Sequence, residues 1–118
     1  KKNTQKMIMI ISRQHPPEVT GYLAMKSFVE TLSDNSPLAR QFRESYSIYV
    51  VPLMNPDGVD NGHWRHNAGG IDLNRDWTKF NQPEDLAVSK FISQKEKQTG
   101  GKFYFGIDFH STFDDIYY

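Results

Sequence analysis

The sequence predicts an α/β fold: a mostly parallel (mixed) sheet flanked by helices. Three observations carry this expectation. Three segments rich in apolar, β-branched and aromatic residues alternate with stretches of helical spacing, and strand, helix, strand, helix, strand is the order that builds a parallel sheet. The first segment, Met7-Ile8-Met9-Ile10-Ile11, is apolar throughout, as expected of a strand covered on both faces. The polar segments that fit neither periodicity all follow a strand, and in a parallel sheet the carboxyl ends of the strands share one edge.

After Ile11, Pro16-Pro17 are expected to open a helix, because proline is tolerated in a first turn. Val19, Tyr22, Leu23, Val29 and Leu32 recur at three- and four-residue spacing and predict one buried stripe. Gly21 within that stripe is expected to cost about 1 kcal/mol relative to alanine. Ser36-Pro37 reads as an N-cap and first-turn proline of a short helix reaching about Glu44. Tyr46 to Leu53, rich in β-branched and aromatic residues, predicts a second strand. From Met54 to about Gln82 periodicity disappears, and Gly58, Gly62, Gly69 and Gly70 fall among Asn, Asp, His and Arg. A structureless loop of that length in a compact domain is usually functional or disordered. Pro83-Glu84-Asp85 then starts a helix with acids in its first turn, Lys95 and Lys97 near its end, and Gly100-Gly101 as its stop. Phe103 to Phe109 predicts the third strand.

Composition bounds the function classes. At 118 residues the chain makes one small domain. Leu, Ile, Val and Phe account for 28 of 118 residues, above the level of about one-fifth associated with disorder. Lys+Arg and Asp+Glu are equal at 14 each, which argues against nucleic acid or an acidic membrane as a partner held by bulk charge. The longest apolar run falls far short of the roughly 20 residues of a membrane span. With no cysteine, disulfides and thiolate metal sites are excluded, so any metal must be held by His, Asp or Glu.

Against that background, His15 and Glu18 stand three apart where a strand gives way to a helix, a spacing that lets an imidazole and a carboxylate reach one cation from a single turn. Alone the pair is better explained as a strand-end residue and a first-turn helix acid. His110, closing the third strand, adds a second imidazole at the same sheet edge and completes the His₂Glu set of catalytic zinc sites, which keep a coordination position open. His63 and His66 form a rival pair, but Arg65 between them would set a fixed charge beside the cation unless it points away, and both are read as loop residues. Arg65 and Arg75 are guanidiniums suited to carboxylates or developing oxyanions, and Asn74 adds an amide donor. Asp72 could accept the outer ring N–H of a metal-bound histidine.

Four motifs in order, His15-Pro-Pro-Glu18, Asn55-Pro-Asp-Gly58, Gly70-Ile-Asp-Leu-Asn-Arg-Asp-Trp77 and Asp108-Phe-His-Ser111, resemble the motif series of the zinc metallocarboxypeptidases, and the resemblance spans nearly the whole chain. It is nearer the cytosolic and bacterial-type branch than the digestive enzymes. The resemblance implies one zinc ion per active site with His15, Glu18 and His110 as ligands. It makes Arg65 the residue that polarises the scissile carbonyl and stabilises the oxyanion. Asn74 and Arg75 become the clamp for the substrate's terminal carboxylate, and Asp72 the acid that orients the first ligand. The substrate it implies is the C-terminus of a peptide or protein.

The chain departs from the family pattern in two places. Pro17 stands where digestive members carry an arginine before the glutamate ligand, so that substrate contact is absent. The family's general-base glutamate and capping tyrosine lie well beyond the third ligand, and neither Asp114, Asp115, Tyr117 nor Tyr118 matches them. Residues 1–118 are therefore expected to be the central part of a single catalytic domain. Expressed alone, they are expected to aggregate or stay partly unfolded through exposed strand edges, and a sharp cooperative melt would contradict this. The start, two lysines shortly before a buried strand, is likewise expected to be internal; with no cysteine and no visible leader, a cytoplasmic location is favoured. Two alternatives stand beside the carboxypeptidase: a zinc deacylase of the aspartoacylase or succinylglutamate desuccinylase type, which shares the His-x-x-Glu ligands and the Asp-Leu-Asn-Arg run, and a non-catalytic metal-binding module.

Overall fold

The computed structural model describes residues 6–112. The elements run β1 (Lys6–Ser12), α1 (Val19–Ser33), α2 (Pro37–Ser45), β2 (Tyr46–Val51), α3 (Pro56–Asp60), a 3₁₀ turn (Leu73–Arg75), α4 (Pro83–Thr99) and β3 (Lys102–Phe109). The strands lie in the order β2-β1-β3 and both pairings are parallel, as expected. Asp114, Asp115, Tyr117 and Tyr118 lie outside the described residues. Among the described residues, no helix is long and apolar enough to cross a membrane.

The apolar run of β1 is covered on both faces. Met9 and Ile11 pack with Met54, Leu73 and Val88 on the α4 side, while Ile8 and Ile10 pack with Met25 of α1 on the other. This is the two-residue alternation of a strand, with both sets apolar because both faces are buried.

Three expectations need correction. Helix α1 starts at Val19, not at Pro16-Pro17. A residue preceding proline is disfavoured in the helical region, so Pro16 cannot begin a turn of helix ahead of Pro17. The two prolines instead sit in a tight turn, in which the Glu18 N–H donates to the His15 carbonyl at 3.3 Å and the Val19 N–H to that of Pro17 at 2.7 Å. The buried stripe of α1 consists of Gly21, Tyr22, Met25, Val29 and Leu32, while Val19 and Leu23 are 47% and 56% exposed. Strand β2 ends at Val51 rather than Leu53, since Pro52 has no N–H to pair.

The long loop is also not structureless. Asn55 caps α3, its Oδ1 accepting from the Gly58 N–H at 2.9 Å, with Pro56 in the first turn. Helix α3 is only 5 residues long, too short to leave a periodicity in the sequence. Further on, the buried Asn67 gathers the loop through its side chain: Oδ1 accepts from the N–H groups of Gly69 and Ile71, both at 3.0 Å. Its Nδ2 donates to Gln82 Oε1 at 2.8 Å.

Candidate metal centre

β1 delivers the first ligand through a forced bend. Arg13 adopts a left-handed backbone with φ 59°, a conformation that costs a non-glycine residue about 1–2 kcal/mol. Its Nη2 donates to the Pro16 carbonyl at 2.5 Å and its guanidinium lies 5.8 Å from the Tyr22 ring, which holds the bend in place. The proline turn that follows brings Glu18 back beside His15, and their Nδ1 and Oε1 stand 2.8 Å apart.

β3 brings His110 to the same carboxylate. Its Nδ1 lies 2.8 Å from Glu18 Oε2, which also accepts the Ser111 N–H at 3.1 Å. Helix α1 approaches this strand end so closely that a Cβ on Gly21 would lie 2.7 Å from the His110 carbonyl oxygen. The Gly21 N–H donates to Ser111 Oγ at 2.7 Å. Glycine is therefore required at position 21 by contact, and the expectation that it merely weakens the helix misses its role.

The outcome is one cluster. His15, Glu18 and His110 each offer a donor atom, and the three atoms lie within 4.8 Å of one another. Around a tetrahedral zinc with bonds of about 2.0–2.1 Å, donors stand roughly 3.3 Å apart, so the 2.8 Å contacts to the two Glu18 oxygens would open and separations of up to 4.8 Å would close. Each imidazole turns Nδ1 inward and Nε2 outward to a carboxylate: His15 Nε2 meets Asp72 Oδ1 at 2.8 Å, and His110 Nε2 meets Asp108 Oδ2 at 2.6 Å. An outer carboxylate on each ring is what fixes the tautomer and strengthens a histidine ligand. The donor set and its outer partners fit zinc.

Asp72 does more than orient His15. Oδ1 also accepts the Asn74 N–H at 2.9 Å, and Oδ2 accepts Arg65 Nε at 2.6 Å. Burial alone would raise its pKa, but the hydrogen bonds from His15 and Arg65 outweigh it and hold the carboxyl below its ordinary value. The His110 imidazolium is favoured by the Asp108 hydrogen bond, against the opposing effect of burial, and further by Glu18.

Arg65 lines a cavity of 510 Å³ together with His15, Pro17, Glu18, Trp64, Ser111 and Thr112. The remaining expected site residues stand apart from it. Asn74 borders a different cavity, of 380 Å³, with Trp77 and Asp108 among its neighbours. Arg75 is exposed, and its Nη1 donates to the Asn74 carbonyl at 3.1 Å. The structure thus joins Arg65 and Asp72 to the ligands and leaves the side chains of Asn74 and Arg75 outside the ligand cavity.

Two residues of the cluster carry roles that sequence analysis did not assign. Asp108, quoted there only as part of a motif, was legible, since it precedes His110 by two residues, the repeat of one strand face. Gln14 was not: fully buried, it accepts Trp77 Nε1 at 2.8 Å and donates to Asp108, so it ties the loop to the third ligand across the sheet edge.

Comparisons with known proteins give the family and the fold. A family model described as zinc carboxypeptidase matches residues 1–118. Cytosolic carboxypeptidase 1 of Mus musculus is 45% identical over 78 residues, covering 66% of this chain and 6% of that protein. Cytosolic carboxypeptidase 6 of the same organism is 33% identical over 113 residues, covering 92% of this chain and 21% of that protein. Among solved structures, the metallo-carboxypeptidase from Burkholderia cenocepacia superposes with a TM-score of 0.71 at 34% identity, over 80% of this chain and 27% of that one. The metallo-carboxypeptidase from Pseudomonas aeruginosa, solved with (2-guanidinoethylmercapto)succinic acid, gives 0.73 at 28% identity over 95% of this chain and 29% of that one. The chain thus spans less than a third of the length of each of these four proteins. It belongs to the zinc carboxypeptidase family.

Proposed function

We propose that the protein removes the C-terminal residue of peptide or protein chains, as a carboxypeptidase with one zinc ion held by His15, Glu18 and His110. The observation that carries this is the convergence of those three side chains, from two strand ends, onto one point with a carboxylate behind each imidazole. When bound, zinc supplies a Lewis acid and an acidified water for attack on the scissile carbonyl.

The chain's own residues supply position and charge. Arg65, in the ligand cavity and steadied by Asp72, polarises the carbonyl and stabilises the charge developing on its oxygen. Arg75, with Asn74, grips the terminal carboxylate through paired N–H donors, and the exposed guanidinium is open to such a ligand. Residues 1–118 form the central part of one catalytic domain whose general-base glutamate lies outside them, a reading supported by the greater length of the matched relatives. The cytoplasm is the proposed location, in keeping with the names of the cytosolic relatives.

The test is hydrolysis by the full-length protein of matched peptides with free and amidated C-termini, with N-acyl amino acids as a third substrate class. Release of the last residue from the free peptide alone is expected; cleavage of N-acyl amino acids in preference would favour the deacylase. Within that assay Arg65→Ala lowers kcat by on the order of 10²–10³, whereas Arg75→Ala chiefly raises KM. The reverse pattern would remove both role assignments.

A further inference from the structure

We propose that His63 and His66 form a second, peripheral site for a borderline divalent cation such as Ni²⁺, Cu²⁺ or Zn²⁺, separate from the His15–Glu18–His110 centre and from the catalytic role assigned above.

The two rings lie in contact in the loop after α3, with centroids 4.5 Å apart and planes tilted by 47°. His63 Nδ1 lies 3.3 Å from the His66 carbonyl oxygen, and His66 Nδ1 lies 3.2 Å from that of Asn67. A carbonyl oxygen can only accept, so both Nδ1 atoms carry the proton. The lone pair of each neutral imidazole is then on Nε2, the arrangement in which a histidine binds a metal while its other nitrogen is anchored to backbone.

The charge that argues against this pair in the sequence is turned elsewhere. Arg65 directs its Nε to Asp72 Oδ2 at 2.6 Å, on the side of the catalytic cluster. The backbone that carries the two rings is also held from both ends. The His63 N–H donates to the Gly58 carbonyl at 2.8 Å, and the His66 carbonyl accepts Nδ2 of the buried Asn55 at 3.2 Å. Asn67, 2% exposed, pins the next residue through the contacts already described. A site whose ligands are fixed before binding loses less entropy on binding. Two imidazoles with water completing the shell select borderline metals over Mg²⁺ or Ca²⁺, and His66 is exposed, so an ion has access.

The experiment titrates Ni²⁺ into full-length protein already saturated with zinc at the first centre, and follows binding by equilibrium dialysis. Wild type takes up one further equivalent. His63→Gln and His66→Gln each weaken that uptake at least tenfold while the zinc of the first centre stays bound, which separates it from that centre. No uptake beyond the first centre, or equal uptake by wild type and a variant carrying both His63→Gln and His66→Gln, overturns the proposal. Diethyl pyrocarbonate labelling of wild type gives a reading independent of variant folding: Ni²⁺ protects His63 and His66 at the concentration of the titration, and unchanged labelling of both overturns it.

Discussion

Asp72, beside the metal ligands, and Asp85, in the first turn of α4, are both carboxylates withdrawn from water, and the fold treats them in opposite ways. Asp72 has a donor on every side: His15, Arg65 and the Asn74 N–H. Its carboxyl is held below the ordinary range despite its burial. Asp85 is fully buried, and among the described residues neither of its oxygens has a hydrogen-bond partner. Burial, reinforced by the negative charges of Asp76, Glu84, Asp108 and Asp72, pushes its pKa up to about 7. A place in the first turn of a helix favours an anion in general, yet here it is not enough. The comparison teaches that a carboxylate in this fold keeps its charge where arranged donors offset burial, and loses it where burial is deeper and no donor is in reach.

The sharpest way to break the comparison is to remove the carboxylate that both imidazoles share. Glu18→Ala should cost more zinc affinity than the roughly 10–100-fold loss typical of an outer partner, measured by chelator competition in the full-length protein. Retention of zinc at the wild-type level would mean that the cluster is not a metal centre. The next test removes an outer partner alone. Asp108→Asn should weaken zinc by roughly 10–100-fold while leaving the three ligands in place. An unchanged affinity would make the Asp108–His110 contact incidental.

The smallest effect concerns Asp85. Its unfolded-state carboxyl ionises near 3.8 and its folded-state carboxyl near 7, so the folded state binds the extra proton between those values. The contribution of this group to stability is therefore greatest in acid and is lost as pH rises from about 4 through 7, then stays constant. Asp85→Asn should remove that slope and stabilise the protein at pH 8 by on the order of 1–3 kcal/mol, read from denaturant melts at pH 5 and pH 8. A variant no more stable than wild type at pH 8 would mean that Asp85 finds a donor in solution.

Much of this was legible in the sequence because it is local. The continuous apolar run of β1 announces a strand buried on both faces, and Ser36-Pro37 marks the start of α2, with Ser36 Oγ accepting the Ala39 N–H. His15 and Glu18 are spaced for one turn. Other features were misjudged because local rules point the wrong way. A proline pair suggests a helix start, and the chain uses it to fold Glu18 back onto His15. Leu23 fits the apolar spacing of α1 and faces solvent, while the glycine two residues before it faces the strand.

The sequence by itself determined the three parallel strands, the longer helices between them and the residue types able to hold zinc, because periodicity and motif spacing act within one or two turns of chain. Only the tertiary structure decided that His110 reaches Glu18 across 92 residues, that Gln14 bridges Asp108 and Trp77, and that Asp85 is left without a donor. Hydrogen bonds are directional and short, so whether a buried polar atom is satisfied depends on where distant backbone and side chains come to rest.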